Sequence, residues 1–132
     1  MKIARFEDLE VWKVSLGITQ KIYEITGRGA YAKDYPLRDQ TRKSVISVSS
    51  NIAEGFEKNN NNEFIRYLLI AKGSVGELRS QLHIARAIHY LTDQEFESMN
   101  LSLQKLAQQI GALISYLSDN RRTREFNTKA TR

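Results

Sequence analysis

The stretch from Phe64 to His89 most constrains the fold, because its apolar residues recur every three or four positions. These residues are Phe64, Leu68, Ala71, Val75, Leu78, Leu82 and Ala85. Steps of alternately four and three residues place all of these side chains along one stripe of an α-helix. The stretch therefore predicts a long amphipathic helix, which we expect over residues 61–90.

A second long helix with the same pattern follows. Its apolar stripe consists of Phe96, Met99, Leu103, Leu106, Ile110, Leu113 and Leu117. Each of the two helices is preceded by a capping-box pattern, formed by Asn60 with Glu63 and by Thr92 with Glu95. We expect the second of them over residues 93–120.

Two further helices are predicted upstream, over residues 8–26 and 37–57. The first carries two adjacent apolar stripes, and the second carries one, formed by Leu37, Thr41, Val45, Val48, Ile52 and Phe56. The Gly-Arg-Gly sequence at 27–29 ends the first helix. A loop is expected from there to Pro36, which suits the first turn of the next helix.

The four helices together predict an all-α fold. Short connections favour antiparallel neighbours, so we expect an up-down-up-down antiparallel four-helix bundle over residues 1–120. Apolar side chains also lie outside the stripes, among them Ile65, Leu69 and Ile70. A helix that is apolar over much of its circumference is buried on more than one side. We therefore expect a homo-oligomer that forms through helix faces.

Positive charge is concentrated at the C-terminus. The chain of 132 residues has a formal net charge of +5. Residues 121–132, "RRTREFNTKATR", carry five basic side chains and one acidic one, and we expect them to form a disordered basic tail. The sequence has no cysteine and no long apolar segment, so we expect no thiolate metal site, no signal peptide and no membrane span. The expected location is the cytoplasm.

Polar side chains form a ridge on each of two helices that are expected to be neighbours. Asn51 and Glu54 lie on one, and Ser74 and Glu77 lie on the other. Facing polar ridges are typical of a hydrogen-bonded network that fixes helix register, so we predict a structural role for these four residues. Three nearby glycines, at positions 55, 73 and 76, indicate that the two helices approach closely.

A carboxylate site formed by Glu54 and Glu77 is the enzymatic alternative. Di-metal helical bundles normally supply two Glu-x-x-His motifs. Here Ser80 and Arg86 stand three residues before the two histidines. The sequence also offers no nucleophile beside a base and no glycine-rich phosphate loop. We therefore expect no enzymatic activity, no catalytic residues, no metal and no cofactor.

Basic side chains form two groups in the predicted bundle. Lys72, Arg79 and Arg86 are spaced by seven residues, so they line up along about 21 Å of one helix. Arg38, Arg42 and Lys43 lie near the start of the 37–57 helix. A row of like charges is typical of a surface that binds phosphate groups, although a plain solvated surface is the alternative. We predict that these six residues bind nucleic acid.

Three blocks of the sequence resemble a known family. They are "FEDLEVWK" at 6–13, "QTRKSVISVSSNIAEG" at 40–55 and "EFIRYLLIAKGSVGELRSQL" at 63–82. They are similar to the motif blocks of the ribosomal-RNA (23S rRNA) intervening-sequence proteins, over about residues 6–117.

The resemblance implies a four-helix bundle that assembles as a ring-like homopentamer without enzymatic activity. Members of the family are often encoded inside insertions in large-subunit ribosomal RNA genes. A related branch comprises accessory proteins of diversity-generating retroelements, which are thought to bind nucleic acid and a reverse transcriptase.

Two functions are therefore expected in order of preference. The first is a non-enzymatic oligomeric bundle that binds RNA or DNA by charge and shape through repeated basic surfaces. The second is a protein-interaction or scaffold module without nucleic-acid binding, in which the tail contacts an acidic partner. The expected partners are other copies of the chain, RNA or DNA, and a reverse transcriptase or another protein. A membrane is not an expected partner.

Overall fold

The structure of the chain, a computed structural model, describes residues 3–120. A 3₁₀ turn at Phe6–Asp8 precedes five α-helices, and residues 3–120 contain no β-strand. The helices are α1 (Glu10–Thr26), α2 (Gly29–Lys33), α3 (Tyr35–Glu57), α4 (Asn61–Ala87) and α5 (Asp93–Asp119). The predicted all-α fold is confirmed, whereas the predicted tail at 121–132 lies outside the described residues.

The four long helices pack around one apolar core. α3 lies between α1 and α4, and α5 lies between α4 and α1, so each long helix has two neighbours. The core is built from the apolar stripes that the sequence predicts, and its fully buried members include Ile52, Phe64, Leu68, Leu82, Leu103 and Ile110. The packing is consistent with a helical bundle.

The segment between α1 and α3 differs from the expected loop, because it contains the short helix α2. Tyr31 of α2 is buried, and its hydroxyl oxygen lies 2.7 Å from that of Thr41 in α3. A helical turn brings the Tyr31 ring into the core while its backbone groups stay hydrogen-bonded, as buried backbone requires. Asp34 then caps α3, and Pro36 lies in its first turn, where the missing N–H group is tolerated.

The C-terminus of α4 comes earlier than predicted, at Ala87 instead of residue 90. His89 has a φ of +67°, and the Tyr90 amide donates to the Ala85 carbonyl at 2.8 Å. This is a Schellman motif, which ends a helix at a residue in the left-handed conformation. The break in the apolar stripe at His89 therefore marks the end of the helix.

The two predicted capping boxes differ in the structure. At α5 the box is complete, because the Glu95 amide donates to the Thr92 hydroxyl and the Thr92 amide donates to the Glu95 carboxylate. At α4 only half of it forms: Asn60 accepts from the Glu63 amide at 3.0 Å. The Glu63 carboxylate pairs with Arg66 instead, one turn further along the helix.

Candidate nucleic-acid interface

Two of the four residues predicted to form a polar network are brought together where α3 meets α4. The Ser47 hydroxyl lies 2.8 Å from the Ser74 hydroxyl. The Asn51 side-chain amide donates to the Ser47 hydroxyl at 3.0 Å and to the Ser47 carbonyl at 2.7 Å. Asn51 and Ser74 therefore belong to one hydrogen-bonded chain, with Ser47 as its middle member.

The other two residues of that set, Glu54 and Glu77, do not meet. The Glu54 carboxylate accepts a hydrogen bond from the Tyr67 hydroxyl at 3.1 Å. Glu77 lies ten residues beyond Tyr67 on α4, about 15 Å along the helix. It is exposed and has no hydrogen bond or ion pair within residues 3–120. Among those residues, no three His, Cys, Asp or Glu side chains are grouped so that they could hold a metal ion.

The close approach of α3 to α4 depends on Gly55. A Cβ atom on Gly55 would lie 2.6 Å from the Cβ of Tyr67 and 3.1 Å from Cδ1 of Phe64. Gly73 and Gly76, which we expected in the same contact, are exposed, and a Cβ on either would meet nothing within 4 Å. Of these three glycines, only Gly55 is required by the space between the helices.

Two of the six predicted nucleic-acid-binding residues, Arg38 and Arg42, donate hydrogen bonds to backbone carbonyls of the chain itself. The Arg42 guanidinium donates to the Thr26 hydroxyl at 2.9 Å and to the Tyr23 carbonyl at 3.4 Å. It thereby satisfies groups at the C-terminal end of α1, where a cation is favoured. Arg38 pairs with Asp39 and donates to the Ala32 carbonyl at 3.1 Å.

Lys43, the third member of that basic group, is exposed and has no partner within residues 3–120. The group does not join the cations of α4 in one surface. Arg42 reaches α1 across the α1–α3 contact, whereas the cations of α4 lie beside α5. Because the neighbours follow the order α1, α3, α4, α5, these two contacts lie on opposite sides of the bundle.

The cations of α4 form a row along its contact with α5, which we call the cationic seam (Lys72, Arg79 and Arg86). The Arg79 guanidinium donates to the Asn100 side chain at 2.9 Å. The Arg86 guanidinium lies 4.1 Å above the Phe96 ring and 3.5 Å from the Glu97 carboxylate. The Lys72 ammonium group lies beside Gly111, 4.0 Å from the point that a Cβ there would occupy.

All three members of the cationic seam thus extend from α4 toward α5. Arg79 is not paired with an acid, because its hydrogen-bond partner Asn100 is neutral. Lys72 is exposed, and only Arg86 has an acidic neighbour, Glu97, whose side chain is 70% exposed. An exposed ion pair of this kind is weak, so Arg86 also remains available to an anionic ligand.

The flank of α5 beside the cationic seam is polar but nearly free of charge, which the sequence analysis missed. Asn100, Gln104, Gln108 and Ser115 share that flank, at spacings of four and seven residues. From residue 98 to residue 118, α5 has no carboxylate and a single cation, Lys105. The absence of acidic residues over this length is the signal that would have identified the flank.

The end of the bundle that holds α2 is fixed by polar contacts. Arg28 forms an ion pair with Glu95, and the Tyr90 hydroxyl donates to the Asp34 carboxylate at 2.8 Å. The hydrogen bond from the Thr92 amide, with a smaller contribution from Arg28, lowers the pKa of Glu95. Burial raises the pKa of Tyr31. These contacts hold the connections between helices, and those of Tyr90 and Glu95 lie at the end of α4 that carries Arg86.

The structure thus defines an all-α helical bundle with one cationic seam. None of its helices within residues 3–120 is long and apolar enough to cross a membrane. The model of the 23S rRNA-intervening sequence protein family matches residues 7–112, and the chain therefore belongs to that family. The resemblance inferred from the three sequence blocks is confirmed.

A solved structure supports the fold. It is the crystal structure of a protein with unknown function from the S23 ribosomal protein family of Bacteroides thetaiotaomicron, with a TM-score of 0.72. The two chains are 23% identical, and the match covers 79% of this chain and 97% of that one. At this identity the likeness shows the fold alone. A search of curated proteins found no match.

Proposed function

We propose that this chain is a non-enzymatic protein that binds RNA or DNA by charge and shape through the cationic seam. The observation that carries the proposal is the row Lys72, Arg79 and Arg86 beside a flank of α5 that lacks carboxylates between residues 98 and 118. Phosphate groups bind such a surface because each cation displaces a condensed counterion, and Glu97, 3.5 Å from Arg86, is the one acid that pairs with the seam among the described residues.

The neutral side chains of α5 complement this charge. Amide groups such as those of Gln104 and Gln108 donate hydrogen bonds to phosphate and sugar oxygens without regard to base identity. The family description names 23S rRNA, which fits a ribosomal RNA or its intervening sequence as the ligand. The same description supports a protein that acts in the cytoplasm, where ribosomal RNA is found.

We further propose the up-down-up-down arrangement of the four long helices. At each of two helix contacts, the residue numbers rise along one helix while those of the residues that they meet fall along the other. Between α3 and α4 these pairs are Ser47 with Ser74 and Glu54 with Tyr67; between α4 and α5 they are Arg79 with Asn100 and Arg86 with Glu97. Antiparallel neighbours of this kind support the arrangement.

The proposed molecule is a homo-oligomer that associates through the outward face of α4. This face exposes Leu69, Ile70, Ile84 and Ile88, with exposed fractions of 42% to 55%. Gly73 lies on the same face, between Leu69 and Ile84, and would let another helix approach closely. An apolar face of this extent favours association. The family resemblance suggests a ring of five, which would repeat the cationic seam five times.

The second candidate is a protein-interaction or scaffold module that binds no nucleic acid. It is favoured by the contacts of Arg38 and Arg42, because these two predicted nucleic-acid ligands are held by the chain itself. The apolar face of α4 would then bind another protein, with a reverse transcriptase as one such partner.

Binding measured by fluorescence anisotropy over a series of salt concentrations separates the two candidates. The Lys72→Gln/Arg79→Gln/Arg86→Gln variant should lose affinity for mixed RNA and DNA by at least about tenfold at low salt. The control Lys13→Gln/Lys21→Gln/Lys33→Gln removes the same charge from exposed residues of α1 and α2. Equal losses in both variants, or no binding by the unaltered protein, would refute the first candidate.

A further inference from the structure

We infer that the ligand of the cationic seam is double-stranded nucleic acid, held by its phosphate backbone and not by stacked bases. The inference rests on the proposed function and specifies its ligand class. Three features of the described residues support it: the fixed spacing of the cations, the environment of the nearby aromatic rings and the chemistry of the adjoining flank of α5.

The spacing of the cations suits a rigid ligand. Lys72, Arg79 and Arg86 recur every seven residues, so their positions along α4 are about 10.5 Å apart. Asn100 fixes the Arg79 guanidinium, and the Phe96 ring supports that of Arg86. Two of the three cations, Arg79 and Arg86, are thus already positioned, so they lose little conformational freedom on binding a partner whose phosphates are also fixed in space.

The aromatic rings beside the seam do not form a platform for bases. Sites for single strands combine a basic groove with exposed aromatic side chains on which bases stack. Phe96 is buried, and its ring is covered by the Arg86 guanidinium and by the His83 ring, whose centroid lies 4.5 Å away. The exposed rings of Tyr23 and Tyr35 lie on α1 and at the start of α3.

The chemistry of the adjoining flank of α5 also favours contact with the phosphate backbone of a duplex. Asn100, Gln104 and Gln108 provide neutral hydrogen-bonding groups beside the cations. A duplex presents phosphate and sugar oxygens along its outer surface, at one charge per about 1.7 Å of helix axis. Such a surface matches the seam, which offers charged groups and lies beside amide groups. Among the described residues, the one exposed ring beside the seam is that of His83.

The test compares one duplex with its own separated strands. The seam spans about 21 Å, or roughly six base pairs at 3.4 Å each, so duplexes of about 12 base pairs of RNA and of DNA suffice. Anisotropy at each salt concentration of a series should show the duplex bound about tenfold more tightly than either strand at low salt, and the duplex affinity should fall more steeply with salt. The Lys72→Gln/Arg79→Gln/Arg86→Gln variant should lose most of this duplex affinity.

The His83→Ala variant provides the matched control, because His83 is not a member of the cationic seam and its ring is the exposed one beside it. We expect its duplex affinity to be unchanged. Single strands that bind as tightly as the duplex, or a loss of affinity in His83→Ala, would overturn the inference and leave the proposed function intact. If neither form binds, the proposed function fails as well.

Discussion

The two flanks of α4 contrast in chemistry. On the α3 side, small polar groups make direct contact: Ser74 meets Ser47 at 2.8 Å, and Gly55 brings the backbones together. On the α5 side, the long side chains of Arg79 and Arg86 cross the contact and keep their charged groups near the surface. One flank is closed by its packing, whereas the other carries positive charge near the surface.

The contrast shows that the most distinctive residues of a sequence need not lie on its most strongly charged surface. The Asn-Ile-Ala-Glu-Gly block at 51–55 is part of the sequence that resembles the family, yet its polar groups are used within the chain. The cationic seam carries no comparable motif. The difference between the two flanks can be tested by substitutions, given below from the largest expected effect to the smallest.

Gly55→Ala should be strongly destabilising, because its Cβ would lie 2.6 Å from the Cβ of Tyr67. Overpacking of this kind costs about 1–3 kcal/mol, and the gain in helix propensity, up to about 1 kcal/mol, offsets only part of it. Urea denaturation measures the free energy of unfolding. In Gly17→Ala, the control in α1, the added Cβ meets nothing within 4 Å, so we expect stability to stay level or rise.

Equal stability changes in the two glycine variants would show that the α3–α4 contact is not close-packed. Nucleic-acid affinity provides the second readout. Gly55→Ala should leave this affinity unchanged at temperatures where the variant is folded, since Gly55 of α3 contacts the flank of α4 that faces away from the seam.

Arg42→Met should lower the free energy of unfolding by about 1–2 kcal/mol, because the Thr26 hydroxyl and the Tyr23 carbonyl lose a charged donor. Lys43→Met, the adjacent control, removes an exposed cation without a partner in residues 3–120 and should leave stability nearly unchanged. Thermal unfolding followed by circular dichroism compares them. A loss of nucleic-acid affinity in Arg42→Met without a loss of stability would contradict the structural role of Arg42.

The smallest expected effect concerns pH. The pKa of Glu95 is lowered in the folded chain, so its contribution to stability is present above its unfolded pKa and is lost as pH falls through the folded value. Stability should therefore decline below about pH 4.5, the ordinary value for this carboxyl. Glu95→Gln keeps an acceptor for the Thr92 amide but does not titrate, so its decline should be shallower. An identical pH profile in the two proteins would contradict this assignment.

The helices and the core could be predicted because local periodicity specifies them. The apolar stripe that begins at Phe64 is buried as expected, and Asn60 and Thr92 cap the helices that they precede. The short helix α2 could not be predicted in this way. Its formation depends on the burial of Tyr31 against Thr41, which is a tertiary contact.

Sequence spacing placed the cations on their helices but could not assign them to a flank of the bundle. Arg42 and Arg79 look alike in the sequence, since each lies on a helix among cations spaced by three to seven residues. Their difference comes from the neighbour that each one meets: the C-terminal end of α1 for Arg42 and the neutral flank of α5 for Arg79. Only the packing order of the helices supplies that information.

The most direct test of the central claim compares the acetylation rates of two exposed lysines, Lys72 of the cationic seam and Lys43 of α3. Each rate is measured by mass spectrometry with and without the RNA duplex. Because the ligand is proposed to lie on the α5 side of α4, we predict that it slows acetylation of Lys72 severalfold and leaves that of Lys43 unchanged. Protection of Lys43 without protection of Lys72 would contradict the account.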